Sequence, residues 1–193
     1  MILGLDTMIY ELTHQQRQLS SDAIASGETI YPSPFLTDQL AALRLTPPDR
    51  CRVLMLGSRP DPVTPSDRLT TQLAYQTPYY YRIFSEMLGS VVDADRMKGW
   101  AKQGVMLLNR ELTTNSDWEW TEFTDWIIQL VDSVCENVVY LILGRENERT
   151  IVRNVDNLRN AIVLPSLRVD RSHNIFDLVN KKLVELEQEP IVF

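Results

Sequence analysis

Histidine and cysteine are scarce in this chain of 193 residues: two of each, His14 and His173, Cys51 and Cys135. With no CxxC or HxxxH spacing, a zinc site built from those ligands has no material, and neither a metal nor a cofactor is expected. Each cysteine sits at the edge of an apolar run, the usual place of a small buried hydrophobe. Long apolar runs are missing too, none approaching the roughly 18 residues that cross a bilayer. The opening Met1 to Leu12 carries Asp6 where a signal peptide has a basic region. The expectation is a soluble, intracellular protein with no membrane contact. Positive charge is also in deficit, 19 Lys plus Arg against 26 Asp plus Glu, a net −7. A surface that coats DNA neutralises phosphates with excess Lys and Arg, so a generic DNA coat is disfavoured.

What is present describes an ordinary folded globule: 44% apolar and 23% charged residues, enough to bury a sizeable core. No internal repeat, low-complexity tract or Gly/Ser linker divides the chain, so one domain over 1–193 is expected. Four short apolar runs rich in Val, Ile and Leu recur, Arg52 to Leu56, Val105 to Asn109, Val138 to Leu143 and Ala161 to Leu164. Such runs suit strands of a parallel sheet buried on both faces. Between and after them lie helical periodicities. Phe123, Trp126, Ile127, Leu130, Val131 and Val134 form one apolar face, and Ile175, Leu178, Val179, Leu183 and Leu186 another, ended by the breaker Pro190. Further helices are predicted at Pro34 to Leu43, Tyr79 to Leu88 and Glu146 to Arg159, with a helical segment at the N-terminus. Strand and helix alternate, which predicts a three-layer α/β/α domain with a four-stranded, mostly parallel central sheet. Ligands of such sheets bind outside the carboxyl ends of the strands. The loops to search are therefore Gly57 to Asp67, Asn109 to Trp118, Gly144 to Asn147 and Pro165 to Asn174.

Six blocks across nearly the whole chain carry a family resemblance. They are Ser26 to Pro32 (SGETIYP), Leu43 to Arg50 (LRLTPPDR), Val53 to Gly57 (VLMLG), Trp100 to Asn109 (WAKQGVMLLN), Phe123 to Asp125 (FTD) and Gln188 to Ile191 (QEPI). In this order they resemble family 1 uracil-DNA glycosylases, and the Trp100 to Asn109 block is close to diagnostic. The resemblance implies that family's four-stranded, mostly parallel sheet between helices, in agreement with the periodicity.

Activity is a separate matter, because function lives in sites. The family's first loop reads Gly-Gln-Asp-Pro-Tyr-His, in which the Asp orients the water or stabilises the oxocarbenium-like sugar and the Tyr blocks bases with a 5-methyl group. Here it reads Gly57-Ser58-Arg59-Pro60-Asp61-Pro62-Val63. Without gaps, Arg59 stands at the catalytic Asp, a cation where the chemistry needs an anion. With two residues inserted, Asp61 becomes the catalytic carboxylate and Val63 stands at the Tyr. Leu73-Ala74-Tyr75 resembles the family's Leu-Ala-Phe, whose ring stacks on the flipped uracil. Asn109 matches the Asn that pairs with the uracil edge and excludes cytosine. Ser58, Val63, Tyr75 and Asn109 are the residues the resemblance places in a base pocket.

The family's last loop, His-Pro-Ser-Pro-Leu-Ser, has become Leu164-Pro165-Ser166-Leu167-Arg168. The His that donates to the developing uracil oxyanion is gone, and losing one such donor costs on the order of 100- to 1000-fold in rate. Leu167 remains at the wedge position, with Ser166 and Arg168 beside it. The serine after the third strand's glycine is replaced by Arg145, and the family's Ala-x-Ser-His segment after the Asn strand is missing. Those are phosphate-positioning contacts. Arg59, Arg145, Arg168 and Arg171 are the candidates for a residual basic rim. The expectation is a glycosylase-fold protein that has lost base excision and serves as a binding or structural module, for a protein partner and/or for nucleic acid, as weakly bound DNA or as a single strand. Tyr79, Tyr80, Tyr81, Trp118 and Trp120 are the candidate partner surface. The alternative is a divergent glycosylase that uses Asp61 with Asn109 and Tyr75 on uracil or a 5-modified uracil.

Overall fold

A computed structural model describes residues 41–58, 78–111, 120–156, 158–164 and 174–193, together with the helical positions His14, Gln18, Ser21 and Ala25, which are exposed. Four strands form the sheet: β1 (Val53–Gly57), β2 (Val105–Asn109), β3 (Val139–Leu143) and β4 (Ala161–Leu164). Their order is β2-β1-β3-β4 and every pairing is parallel. Successive strand residues point to opposite faces, and every residue of β1, β2 and β3 is buried. Both faces must therefore be covered, which makes the architecture three-layer α/β/α, as the alternation of runs predicts. Parallel neighbours require a crossover between them, and the helices supply it.

Among the described residues six helices flank the sheet: α1 (Ala41–Leu45), α2 (Pro78–Leu88), α3 (Ala94–Lys102), α4 (Trp120–Val134), α5 (Glu148–Asn154) and α6 (Ile175–Glu185). On one side an aromatic cluster joins α2, α3, α6 and the final segment. Trp100 packs against Phe84 at 5.7 Å, Phe176 at 5.6 Å and Phe193 at 5.4 Å between ring centroids. Fully burying each such ring contributes roughly 1.5–3 kcal/mol. The last residues are fixed by polar contacts, Ile191 N donating to Asn180 Oδ1 at 2.8 Å and Val192 N to Gln103 Oε1 at 2.8 Å. Thr46, 1% exposed, places its hydroxyl 2.9 Å from the carbonyl of Val105 and 3.1 Å from that of Ala101. It thereby pins the end of α1 to the α3–β2 turn. That turn needs Gly104, whose φ is +93° and whose missing Cβ leaves room for the Arg50 carbonyl.

Two local readings are corrected. Helix α3 is absent from the periodicity reading, yet Asp93 caps it by accepting from Arg96 N at 2.9 Å. Its apolar stripe is only Met97, Trp100 and Ala101, interrupted by Gly99, too thin to register as a face. The helix predicted over Glu146 to Arg159 is instead a short 3-10 turn (Arg145–Asn147), α5, and a second 3-10 turn (Leu158–Asn160). Asn147, Asn154 and Asn160 are buried there. Asn and Asp side chains offer the backbone hydrogen bonds that compete with a continuous helix. Pro34 to Leu40 of the earlier predicted helix lies outside the described residues.

Candidate functional site

The chain runs from β1 to β2 on one side and then returns to place β3 on the other side of β1. The strand order therefore reverses between β1 and β3, and the crevice outside the carboxyl ends at that point is where an open parallel sheet binds its ligand. Three strand-end loops meet there. Gly57 is in register with Asn109. Arg110 N donates to the Gly57 carbonyl and Glu111 N to that of Ser58, both at 2.7 Å, so the loops after β1 and β2 are laced together.

The loop after β3 crosses to the same place. Gly144 turns with φ +93°, and the following residues fold back so that the Glu146 carboxylate lies where a Cβ on residue 144 would stand. Ser58 Oγ donates to Glu146 Oε1 at 2.6 Å. Asn147, 2% exposed, donates from Nδ2 to Ser58 Oγ at 3.1 Å and to the Leu143 carbonyl at 2.8 Å. Ser58, Glu146 and Asn147 thus form a chain of hydrogen bonds across the mouth of the crevice between β1 and β3. A hydroxyl-to-carboxylate bond of this length is of the charge-assisted kind.

Asn109 sits 3% exposed at the end of β2. Its neighbour Arg110 turns from the crevice, its Nη1 donating to the Thr121 carbonyl at 2.8 Å, to Thr124 Oγ1 at 2.7 Å and to the Asp125 carboxylate. Arg153 and Asn154 of α5 complete the environment of Asp125. The FTD block at Phe123 to Asp125 is therefore the junction at which α4 and α5 are locked to the β2 loop.

Comparison with known proteins agrees with this geometry. No family model matches the chain. The uracil-DNA glycosylase of Pseudomonas putida (strain GB-1) is 30% identical over 149 residues, covering 68% of this chain and 63% of that protein. The uracil-DNA glycosylase of Coxiella burnetii (strain CbuG_Q212) is 31% identical over 156 residues, covering 72% of this chain and 66% of that protein. The chain belongs to the uracil-DNA glycosylase superfamily. It spans about two thirds of the length of these curated relatives. The crystal structure of mimivirus uracil-DNA glycosylase superposes with a TM-score of 0.66 at 16% identity, over 89% of this chain and 77% of that one. A mimivirus variant solved in complex with UGI gives a TM-score of 0.69 over 89% and 78%. At that identity the superpositions speak for the fold, the layered α/β architecture of the glycosylases.

Of the residues singled out from the sequence, Ser58 and Asn109 come together at the crevice, on two loops bonded backbone to backbone. Arg145 is exposed on the third loop. Arg59, Asp61, Val63, Tyr75, Ser166, Leu167, Arg168, Arg171 and His173 lie outside the described residues, as does Trp118 and as do the side chains of Tyr79 and Tyr80. Trp120, expected on a partner surface, is buried at 3% exposure with its ring edge-on to Phe123 at 6.0 Å. Tyr81 is half-buried against the core. Burial and the carboxylates of Asp93 and Asp95 push its phenol well above the ordinary range. Glu146 and Asn147 were missed as site residues although they fall in one of the strand-end loops. The available signal was their position directly after the Gly144 turn. Among the described residues no cluster of His, Cys, Asp or Glu can hold a metal ion, and no helix is long and apolar enough to cross a membrane.

Proposed function

We propose that this chain is a uracil-DNA glycosylase homologue that has lost base excision and works as a binding or structural module for a protein partner, or for nucleic acid held without cutting. The observation that carries this reading is the Glu146 carboxylate bonded to Ser58 at 2.6 Å across the mouth of the β1–β3 crevice. Excision releases uracil as an anion, and the chemistry depends on donors or cations aimed at the charge that develops on it. A carboxylate over the strand ends opposes that charge. The sequence of the last loop supports the same reading, since Leu164 to Arg168 offers no imidazole.

A second reading has one observation in its favour: Asn109 keeps the buried strand-end place from which a side chain can read a base edge. In that reading Asp61 is the catalytic carboxylate, Tyr75 the stacking ring, and Val63 opens the pocket to a 5-modified uracil. An excision assay decides between them, using single-stranded DNA that carries uracil, thymine or a 5-modified uracil. The expected outcome is no alkali-labile site above background. Abasic sites formed at a useful rate, and abolished by Asp61→Asn, would overturn the module reading.

A further inference from the structure

The relation of this crevice to phosphate can be read from its charges. Glu146 is exposed, and its hydrogen-bond partner Ser58 fixes its carboxylate at the carboxyl ends of β1 and β3. Asn147 holds Ser58 in turn, and the Leu143 carbonyl holds Asn147. The carboxylate is therefore not a freely swinging surface group: a buried amide and a strand-end carbonyl stand behind its partner. The neighbouring charges are Arg145, Glu148 and Arg149, all exposed. With Glu146 they balance, two cations against two anions, so this loop presents no net attraction to a polyanion. Neutralising Glu146 alone turns it into a site of one net positive charge.

We propose that Glu146 is the specificity determinant of the switch-point crevice, clasped to Ser58 so that its carboxylate bars phosphate groups from the strand ends. This rests on the reading that the fold has changed its relation to DNA, and adds the residue that enforces the change. The crevice accordingly favours groups that donate, such as amides or the cationic side chains of a protein, over groups that only accept. At contact distance across water, which surrounds this exposed carboxylate, the repulsion between two unit charges alters an affinity on the order of 5- to 10-fold.

The test measures binding of a fluorescein-labelled oligothymidylate to the full chain by anisotropy, between about 50 and 200 mM salt. The proteins compared are the native chain, Glu146→Gln, and Glu148→Gln as a control of equal charge two residues away. Gln keeps an oxygen that accepts from Ser58, and thermal melts confirm that each variant is folded. Glu146→Gln is expected to bind on the order of 5- to 10-fold tighter than the native chain with a steeper salt dependence, and Glu148→Gln within about 2-fold of it. Equal tightening by both variants would mean that net charge alone acts, and would overturn the proposal. So would unchanged binding, or no binding by any of the three. The excision assay is scored separately on the same preparations: product from the native chain would remove the module reading and leave the Glu146 comparison standing. Unchanged binding without product would do the reverse.

Discussion

Cys51 and Cys135 lie far apart in sequence but meet at the amino-terminal edge of the sheet, opposite the strand-end crevice. Both direct a donor at one acceptor: Cys135 Sγ lies 2.8 Å from the Pro48 carbonyl and Cys51 N lies 3.2 Å from it. Burial is the main cause pushing both thiols above their ordinary range, most strongly for Cys51, which is 3% exposed. The thiolate is the reactive form, so both are poor nucleophiles near neutral pH, and access separates them. An aromatic disulfide reagent at pH 8 is expected to titrate Cys135 slowly in the native chain and Cys51 only after denaturation. Cys135→Ser should then leave almost no reactive thiol until unfolding. Rapid modification of Cys51 in the folded state would contradict its burial. The same logic of place applies at the crevice: Ser58 and Asn109 matter there because their backbones are laced, and Glu146 because its partner is fixed from behind.

The elements owe their arrangement to a few polar junctions as much as to the apolar core. Asp125 of α4 accepts from Arg110 after β2 and from Arg153 and Asn154 of α5, with 17% of its side chain exposed and 11% of that of Arg110. Asp125→Ala leaves the Arg110 guanidinium largely buried without its anion. Breaking a fully buried pair costs about 3–5 kcal/mol, and partial exposure of this one places the expected loss at roughly 2–3 kcal/mol. Arg153→Ala removes a partner that is 63% exposed and should cost under about 1 kcal/mol. Urea unfolding of the two variants checks the ratio; equal losses would mean that α5, not the β2 loop, depends on Asp125. This junction also shows what the sequence allowed to be read. The strands were legible because a segment buried on both faces is a continuous apolar run, as in Val139–Leu143. The FTD block was legible as a resemblance, but its partner Arg110 was not, since nothing local pairs residues 15 apart across a loop. Helix α3 escaped because a short helix capped by Asp93 and buried through three residues leaves little periodicity. Ser58 and Asn109 were legible through the family resemblance, in loops that the strand pattern marks as the place to search. The clasp to Glu146 was not, because a contact across 88 residues exists only once β1 and β3 lie side by side.

At the scale of the whole molecule, the charge of −7 and the buried acids act in the same direction as pH rises. Burial, first, and then the Asp132 carboxylate, which accepts from the Tyr140 hydroxyl at 2.7 Å, hold the Tyr140 phenol well above its ordinary value of 10.0. Burial likewise holds Cys51 far above 9.0. In both cases the folded pKa exceeds the unfolded one. The stability that the protonated forms contribute is therefore fully present below about pH 9 and is lost as pH rises, because the unfolded chain releases these protons first. Each group steepens the loss toward about 1.4 kcal/mol per pH unit once its unfolded pKa is passed. Stability from urea titrations is expected to be level from pH 7 to 8.5, to fall beyond pH 9 and to fall faster beyond pH 10. Self-repulsion of the excess anions adds to this decline, but salt screens it. Repeating the series at high salt should recover only the repulsive part. Cys51→Ala should shrink the limb that begins near pH 9 to the smaller share of Cys135 while leaving the one beyond pH 10. A decline abolished entirely by salt would assign it to net charge and exclude the buried thiol and phenol as its source.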